Sequence, residues 1–296
     1  KLGNLKPKCS KIKYIKPDSK AIARAKEIKQ LLQQHFKASL ARPTLPRFAF
    51  VKDLQSTEGL PKKETAQYSN ENGLRFIYSY FGIFGDPLID TIHDPYPDGL
   101  LARLAAKGVN GIWMHVVLHQ LAPGGIDFPE FGEGHLTRLH NLRRIVERAK
   151  QYGIAVYLYM NEPRAMPLSF FKNRQEMMGT QEGAFAALCT SNEKVLNWMN
   201  RSLAYVFKQA PDLGGVFTIT ASENFTNCAS HGNQKDCPRC SRRGYADIIA
   251  GVNEAIANGV HAGNANAKVI AWDWGWHGHG DAPDVIAKLP KQVWLM

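Results

Sequence analysis

The sequence predicts an α/β fold: a parallel (β/α) barrel of TIM type, with fewer units in this chain than a closed barrel needs, behind a small basic α/β or helical segment. Three observations predict it. Strand-like and helix-like stretches alternate regularly from residue 74 onward. No glycine-rich phosphate loop follows the first strand, as many doubly wound sheets would have. Polar and aromatic residues gather at the C-terminal ends of several strands, where barrel enzymes keep their sites. A doubly wound sheet is the alternative that the same alternation allows. Residues 1–72 are expected to form the N-terminal segment and linker, and residues 73–296 the barrel.

The elements follow in order. "LRFIYSYFG" (74–82) is aromatic and β-branched enough for a strand. "PDGLLARLAAKG" (97–108) opens on Pro and closes on Gly, as helices do. "VNGIWMHVVL" (109–118) is a second strand. "HLTRLHNLRRIVERAKQYG" (135–153) sets Leu136, Leu139, Leu142, Val146 and Ala149 on one helical stripe. "IAVYLYMNEP" (154–163) is a third strand. Thr190 and Glu193 have capping-box spacing ahead of Val195, Met199, Leu203 and Val206. "LGGVFTITASEN" (213–224) and "AKVIAWDWGW" (267–276) are strands flanking a helix over 244–259, and "APDVIAKLP" (282–290) is a short helix before a last strand, "QVWLM". "FAFVKD" (48–53) is a further strand candidate without a helix behind it.

Charge is local. Residues 1–50 hold 13 Lys and Arg against Asp18 and Glu27, so this segment carries the whole net charge of +11. Nucleic-acid binding wants the excess on a folded groove or helix face. Here it flanks the helix-like "DSKAIARAKEIKQLLQQHF" and reads as a solvated terminal segment, with no nucleic-acid partner. No run of 18 apolar residues suggests a membrane span. The N-terminal "KLGNLKPKCS" lacks the apolar core of a signal peptide but also lacks Met, so an exported and a cytoplasmic location both stay open. Oligomeric state is not legible.

The strand tips carry the chemistry. The second strand ends near His115 and His119, and the third at Tyr159-Met160-Asn161-Glu162-Pro163-Arg164. The fourth ends at Ser222-Glu223-Asn224, and the fifth at Trp272-Asp273-Trp274-Gly275-Trp276. Carboxylates beside flat indoles suit sugar hydrolysis: one acid protonates the leaving oxygen, a second group attacks or stabilises the oxocarbenium-like centre, and indoles stack on pyranose faces. Glu223 is the expected general acid/base, with Glu162 and Asp273 as second-carboxylate candidates. Tyr159, Asn161, Arg164, His115, Asn224, Trp272, Trp274 and Trp276 are the expected substrate contacts. Structural alternatives exist for each: a loop-capping Glu223, an ion pair between Glu162 and Arg164, a core Asp273 and core tryptophans. Strand alternation also groups Thr218, Thr220, Ser222 and Asn224, which turns Glu223 from the mouth unless the pattern breaks. No P-loop and no G-x-S-x-G elbow occur.

Cys228, His231, Cys237 and Cys240 have the composition of a Cys₃His zinc site, with C-x₂-C as the paired knuckle. Four ligands leave no open position, so a structural zinc bracing the loop after Glu223 is expected, with no organic cofactor. A disulfide or a redox C-x-x-C are the alternatives.

"VYLYMNEPRAMP" and "GGVFTITASENFTNC…CPRC…VIAWDWGW" resemble the catalytic barrel of bacterial glycoside hydrolases related to the family 20 β-hexosaminidases. The resemblance runs from the first strand to the end and implies hydrolysis of a β-linked carbohydrate, with a hexosamine-containing glycan as one option. By position it gives Glu223 the general-acid role. The aspartate that precedes this glutamate in family 20, and orients the acetamido group, is Ser222 here. Asn161-Glu162-Pro163 resembles the strand-end motif of the large retaining clan, which lies on the fourth strand there and on the third here. A carbohydrate-binding barrel without turnover and a zinc-loop module that recruits an acidic partner are the competing readings.

Overall fold

The computed structural model describes residues 18–41, 54–60, 73–90, 93–222 and 224–296. The chain divides into two units, Lys1–Lys52 and Asp53–Met296. In the first, helix α1 (Ser19–Ala41) matches the expected helical stretch. Its start is capped by Asp18, whose Oδ1 accepts the Ala21 N–H at 2.7 Å. The strand candidate at 48–53 lies outside the described residues.

The second unit alternates strand and helix as its sequence requires. Its elements are β1 (Phe76–Tyr78), α2 (Asp98–Ala106), β2 (Gly111–His115), a short α3 (Leu118–Leu121), α4 (His135–Lys150) and β3 (Ala155–Met160). An insertion follows with β4 (Met166–Pro167), β5 (Met178–Glu182) and β6 (Phe185–Leu188). Then come α5 (Glu193–Gln209), β7 (Gly215–Ile219), α6 (Tyr245–Gly263), β8 (Lys268–Trp272), α7 (Trp276–His279), α8 (Ala282–Lys288) and β9 (Val293–Leu295).

Six strands form one parallel sheet in the order β1-β2-β3-β7-β8-β9. The order follows the chain without reversal. A doubly wound sheet reverses at a switch point and sends helices to both faces; a barrel winds one way and keeps them outside. The packing agrees with the second pattern. Ile112, Met114, Leu158, Met160 and Val216 pack with helix residues such as Leu101, Leu142, Leu203 and Val252. On the opposite face, Phe76, Trp113, Tyr157, Tyr159, Phe217 and Trp272 pack with one another and with strand neighbours. The sheet is therefore consistent with part of a TIM-type barrel whose inner face is aromatic.

Phe217 is the hub of that face. Its ring lies 5.6 Å from Phe76, 5.4 Å from Trp113, 5.2 Å from Tyr159 and 5.5 Å from Trp272. Register explains the clustering: His115, Tyr159, Phe217 and Ile270 stand side by side across four strands. Each such aromatic, once buried, contributes about 1.5–3 kcal/mol.

Two local expectations change. Leu136 is 67% exposed, whereas Leu139, Leu142, Val146 and Ala149 are buried, because the core-facing stripe of α4 begins one turn later. Helix α5 is capped by Asn192, whose Oδ1 accepts the Lys194 N–H at 2.9 Å, while Thr190 is buried ahead of the helix. The region between β3 and α5 folds as an antiparallel sheet in the order β4-β6-β5. The β5–β6 turn places Gly183 at φ 57°, a left-handed conformation that favours glycine.

Candidate active site at the strand ends

The alternation within each strand sorts the site candidates. On β3, Tyr157 and Tyr159 face the aromatic interior, whereas Val156, Leu158 and Met160 face the helices. Asn161 continues the inner series and Glu162 the outer one.

Asn161 is 1% exposed, and neither of its amide atoms has a hydrogen-bond partner among the described residues. Such a buried amide is costly unless something pairs with it.

Glu162 is also 1% exposed but is fully engaged. Its Oε1 accepts the Leu118 N–H at 2.7 Å, and its Oε2 accepts the Arg164 N–H at 3.2 Å. Burial pushes its pKa up to about 7, against the pull of the Arg164 charge and of the two backbone donors. In place of the alternative Glu162–Arg164 side-chain ion pair there is a bond to the Arg164 backbone.

The Arg164 guanidinium turns instead to His115, with Nη2 donating to Nε2. A guanidinium has only donors, so Nε2 must be the lone-pair nitrogen and Nδ1 the protonated one. Burial first, and the Arg164 charge second, hold the His115 pKa down to about 4. At neutral pH it is an uncharged imidazole beside Tyr159, whose ring centroid lies 5.6 Å away.

Across the sheet, Trp272 joins the aromatic face and meets Trp274 at 5.0 Å. Trp274 is 50% exposed. Asp273 is partly exposed, and its Oδ2 lies 3.9 Å from His277 Nε2. Trp276 does not share their setting. It is fully buried, and its Nε1 donates to Thr220 Oγ1 at 3.2 Å, so it is a core side chain without a free face for a sugar.

On β7 the expected parity is corrected. Phe217 and Ile219 face the interior, whereas Thr220 faces α6 and bonds Asn253 at 3.3 Å. Ser222 is buried and accepts the Asn224 N–H at 3.2 Å. Glu223 lies outside the described residues.

Asn224 and Arg164 meet at a cavity of about 350 Å³, together with Ala165, Glu182, Phe185, Phe225 and His231. Glu182 and Phe185 belong to the inserted sheet, and Asn224, Phe225 and His231 to the loop after β7. That loop is anchored by Asn227, whose Nδ2 donates to Thr220 O at 2.7 Å and whose Oδ1 accepts Ala229 N–H at 2.9 Å.

The cysteine cluster differs from the expected one. Cys189, Cys228, Cys237 and Cys240 are buried, with their sulfurs all within 4.8 Å of one another, a group that could hold a metal ion. His231 is not in it. Its Nδ1 lies 2.8 and 2.9 Å from the two carboxylate oxygens of Glu182, which also accepts from Asn233 at 3.0 Å. Hydrogen bonding with Cys228, above all, draws the Cys189 thiol down to about 6. In the sequence Cys189 stands alone and Glu182 belongs to no motif, because their partners lie about fifty residues away.

No protein-family profile matches this chain, and no curated protein does. Solved structures similar to it include glycoside hydrolases. The chitobiase of Flavobacterium johnsoniae aligns at 13% identity and a TM-score of 0.44, over 75% of this chain and 33% of its own. A β-N-acetylhexosaminidase from Bacteroides fragilis aligns at 16% and 0.44, over 75% and 44%. A family 89 glycoside hydrolase from Clostridium perfringens aligns at 13% and 0.48, over 75% and 28%. The chain spans less than half the length of each of these structures.

Proposed function

We propose that this chain is the catalytic part of a glycoside hydrolase that cleaves a β-linked carbohydrate at the C-terminal ends of its parallel strands. One observation carries the reading. The face of the sheet turned away from the described helices is lined with aromatic rings and ends in Asn161, a buried amide whose donor and acceptor atoms have no partner among the described residues, and in the Trp272–Trp274 pair. Flat apolar rings with a few fixed hydrogen-bonding groups suit a pyranose.

In this reading Glu223 is the proton donor, and Asp273 is the second carboxylate. Trp272 and Trp274 stack on sugar rings, and Asn161 and Asn224 bind hydroxyls. His115, neutral and held by Arg164, offers its Nδ1–H as a donor beside Tyr159. Glu162 holds the two strand ends together through backbone amides rather than reacting.

A panel of chromogenic β-glycosides, β-hexosaminides included, tests the reading. Release of the chromophore from at least one member is expected. Saccharide binding by the same protein without cleavage of the panel or of longer glycans would favour a binding barrel instead.

A further inference from the structure

We infer that Cys189, Cys228, Cys237 and Cys240 hold one structural zinc ion, and that this ion ties together the two segments that wall the cavity beside Arg164. The inference rests on the cluster's geometry and stands apart from the glycosidase reading.

The spacing fits a tetrahedral ion. Zinc–thiolate bonds of about 2.3 Å set the sulfurs at tetrahedral corners about 3.8 Å apart. Cys189 Sγ lies 3.6 Å from Cys237 Sγ and 3.6 Å from Cys240 Sγ, and no pair in the group exceeds 4.8 Å. A disulfide wants one partner at about 2 Å. Cys189 has two equidistant neighbours.

The surroundings fit the charge. Four thiols release their protons to solvent when the ion binds, leaving Zn²⁺ with four thiolates and a net charge of −2. Arg239 Nε donates to Cys189 Sγ at 3.2 Å. Ser191 Oγ lies 3.2 Å from Cys240 Sγ and itself accepts from Arg243 Nη1 at 2.8 Å. One guanidinium thus touches a sulfur directly, and a second acts through a hydroxyl. Outer partners of this kind hold ligands in place and offset charge, whereas four neutral thiols would have little use for them. Gly179 belongs to the same fit: a Cβ there would stand 2.4 Å from Cys228 Sγ.

Topology gives the consequence. Cys189 directly follows β6 of the inserted sheet, while Cys228, Cys237 and Cys240 lie in the loop after β7. The cavity takes Glu182 and Phe185 from the first segment and Asn224, Phe225 and His231 from the second. The ion joins these segments on one side, and the Glu182–His231 pair joins them on the other. With Cys189 as fourth ligand, His231 is left to line the cavity.

The test uses the full chain purified without chelator. Elemental analysis should give one zinc per chain, and Co²⁺ exchange should give the thiolate charge-transfer and tetrahedral d–d bands. His231→Ala should keep the metal, and Cys189→Ser should lose it or bind it far more weakly. Removing zinc should speed amide exchange in both 178–188 and 224–240 while β2 and β3 stay protected. Zinc far below one per chain with the cysteines paired as disulfides would overturn the site. Metal kept by Cys189→Ser but lost by His231→Ala would overturn the ligand set. Unchanged exchange in either segment after zinc removal would overturn the bracing role.

Discussion

The Leu118 backbone amide donates to Glu162 Oε1 at 2.7 Å, fastening the segment after β2 to the end of β3 through a carboxylate that is 1% exposed. A carboxylate of this kind works as a fastener, and it does so at an electrostatic cost. Burial raises its pKa from an ordinary 4.5 to about 7 in the folded chain.

That shift fixes the sign of a pH effect. Between the two pKa values the folded state binds more protons than the unfolded one, so stability contributed by Glu162 falls as pH rises from about 4.5 to 7 and is level above. The loss is on the order of 3 kcal/mol. Urea unfolding of the parent and of Glu162→Gln at pH 5 and pH 7.5 should show the parent losing more stability with rising pH. Equal losses would mean that Glu162 titrates normally.

His115 should behave in the opposite sense. Its ring is expected to stay neutral down to about pH 4, with burial as the main cause and the Arg164 charge second. Arg164→Ala should therefore raise the His115 pKa. Imidazole titration followed by NMR reads the shift directly; a value unmoved or lowered in the variant would contradict the contact between the two side chains.

The neighbouring tryptophans should separate cleanly. Trp276→Ala empties a fully buried site and should cost about 3–5 kcal/mol of stability. Trp274→Ala, at a half-exposed position, should change stability by less than about 1 kcal/mol. It should weaken saccharide binding by about 1 kcal/mol, close to fivefold. Calorimetric unfolding and saccharide titration of both variants check this. Strong saccharide dependence on Trp276 with a stable fold would reverse the assignment.

Much of the architecture was legible because it is local. Gly153 ends its helix, Pro97 precedes another, and the stripe from Val195 to Val206 is written at helical spacing. The strands are shorter than their apolar runs suggest, since "VNGIWMHVVL" continues past His115 through Val116 and Val117 to Leu118, the first residue of α3. Parity could not be oriented from sequence. Nothing in "GVFTIT" says that Phe217 faces the interior and Thr220 the helices, because a barrel strand is buried on both sides. The metal-cluster candidate was found through three clustered cysteines and misassigned at the fourth. His231 has the right spacing, but Cys189 is brought in by an inserted sheet whose short strands carry little periodic signal.

The central claim is that the strand ends form a glycosidase site with Glu223 as its acid. It is tested most directly by the rate at which parent and Glu223→Gln hydrolyse the β-glycoside that the parent cleaves best. The account predicts a fall of at least about a hundredfold with the fold intact by circular dichroism. Equal rates in the two proteins would remove Glu223 from the mechanism and contradict the account.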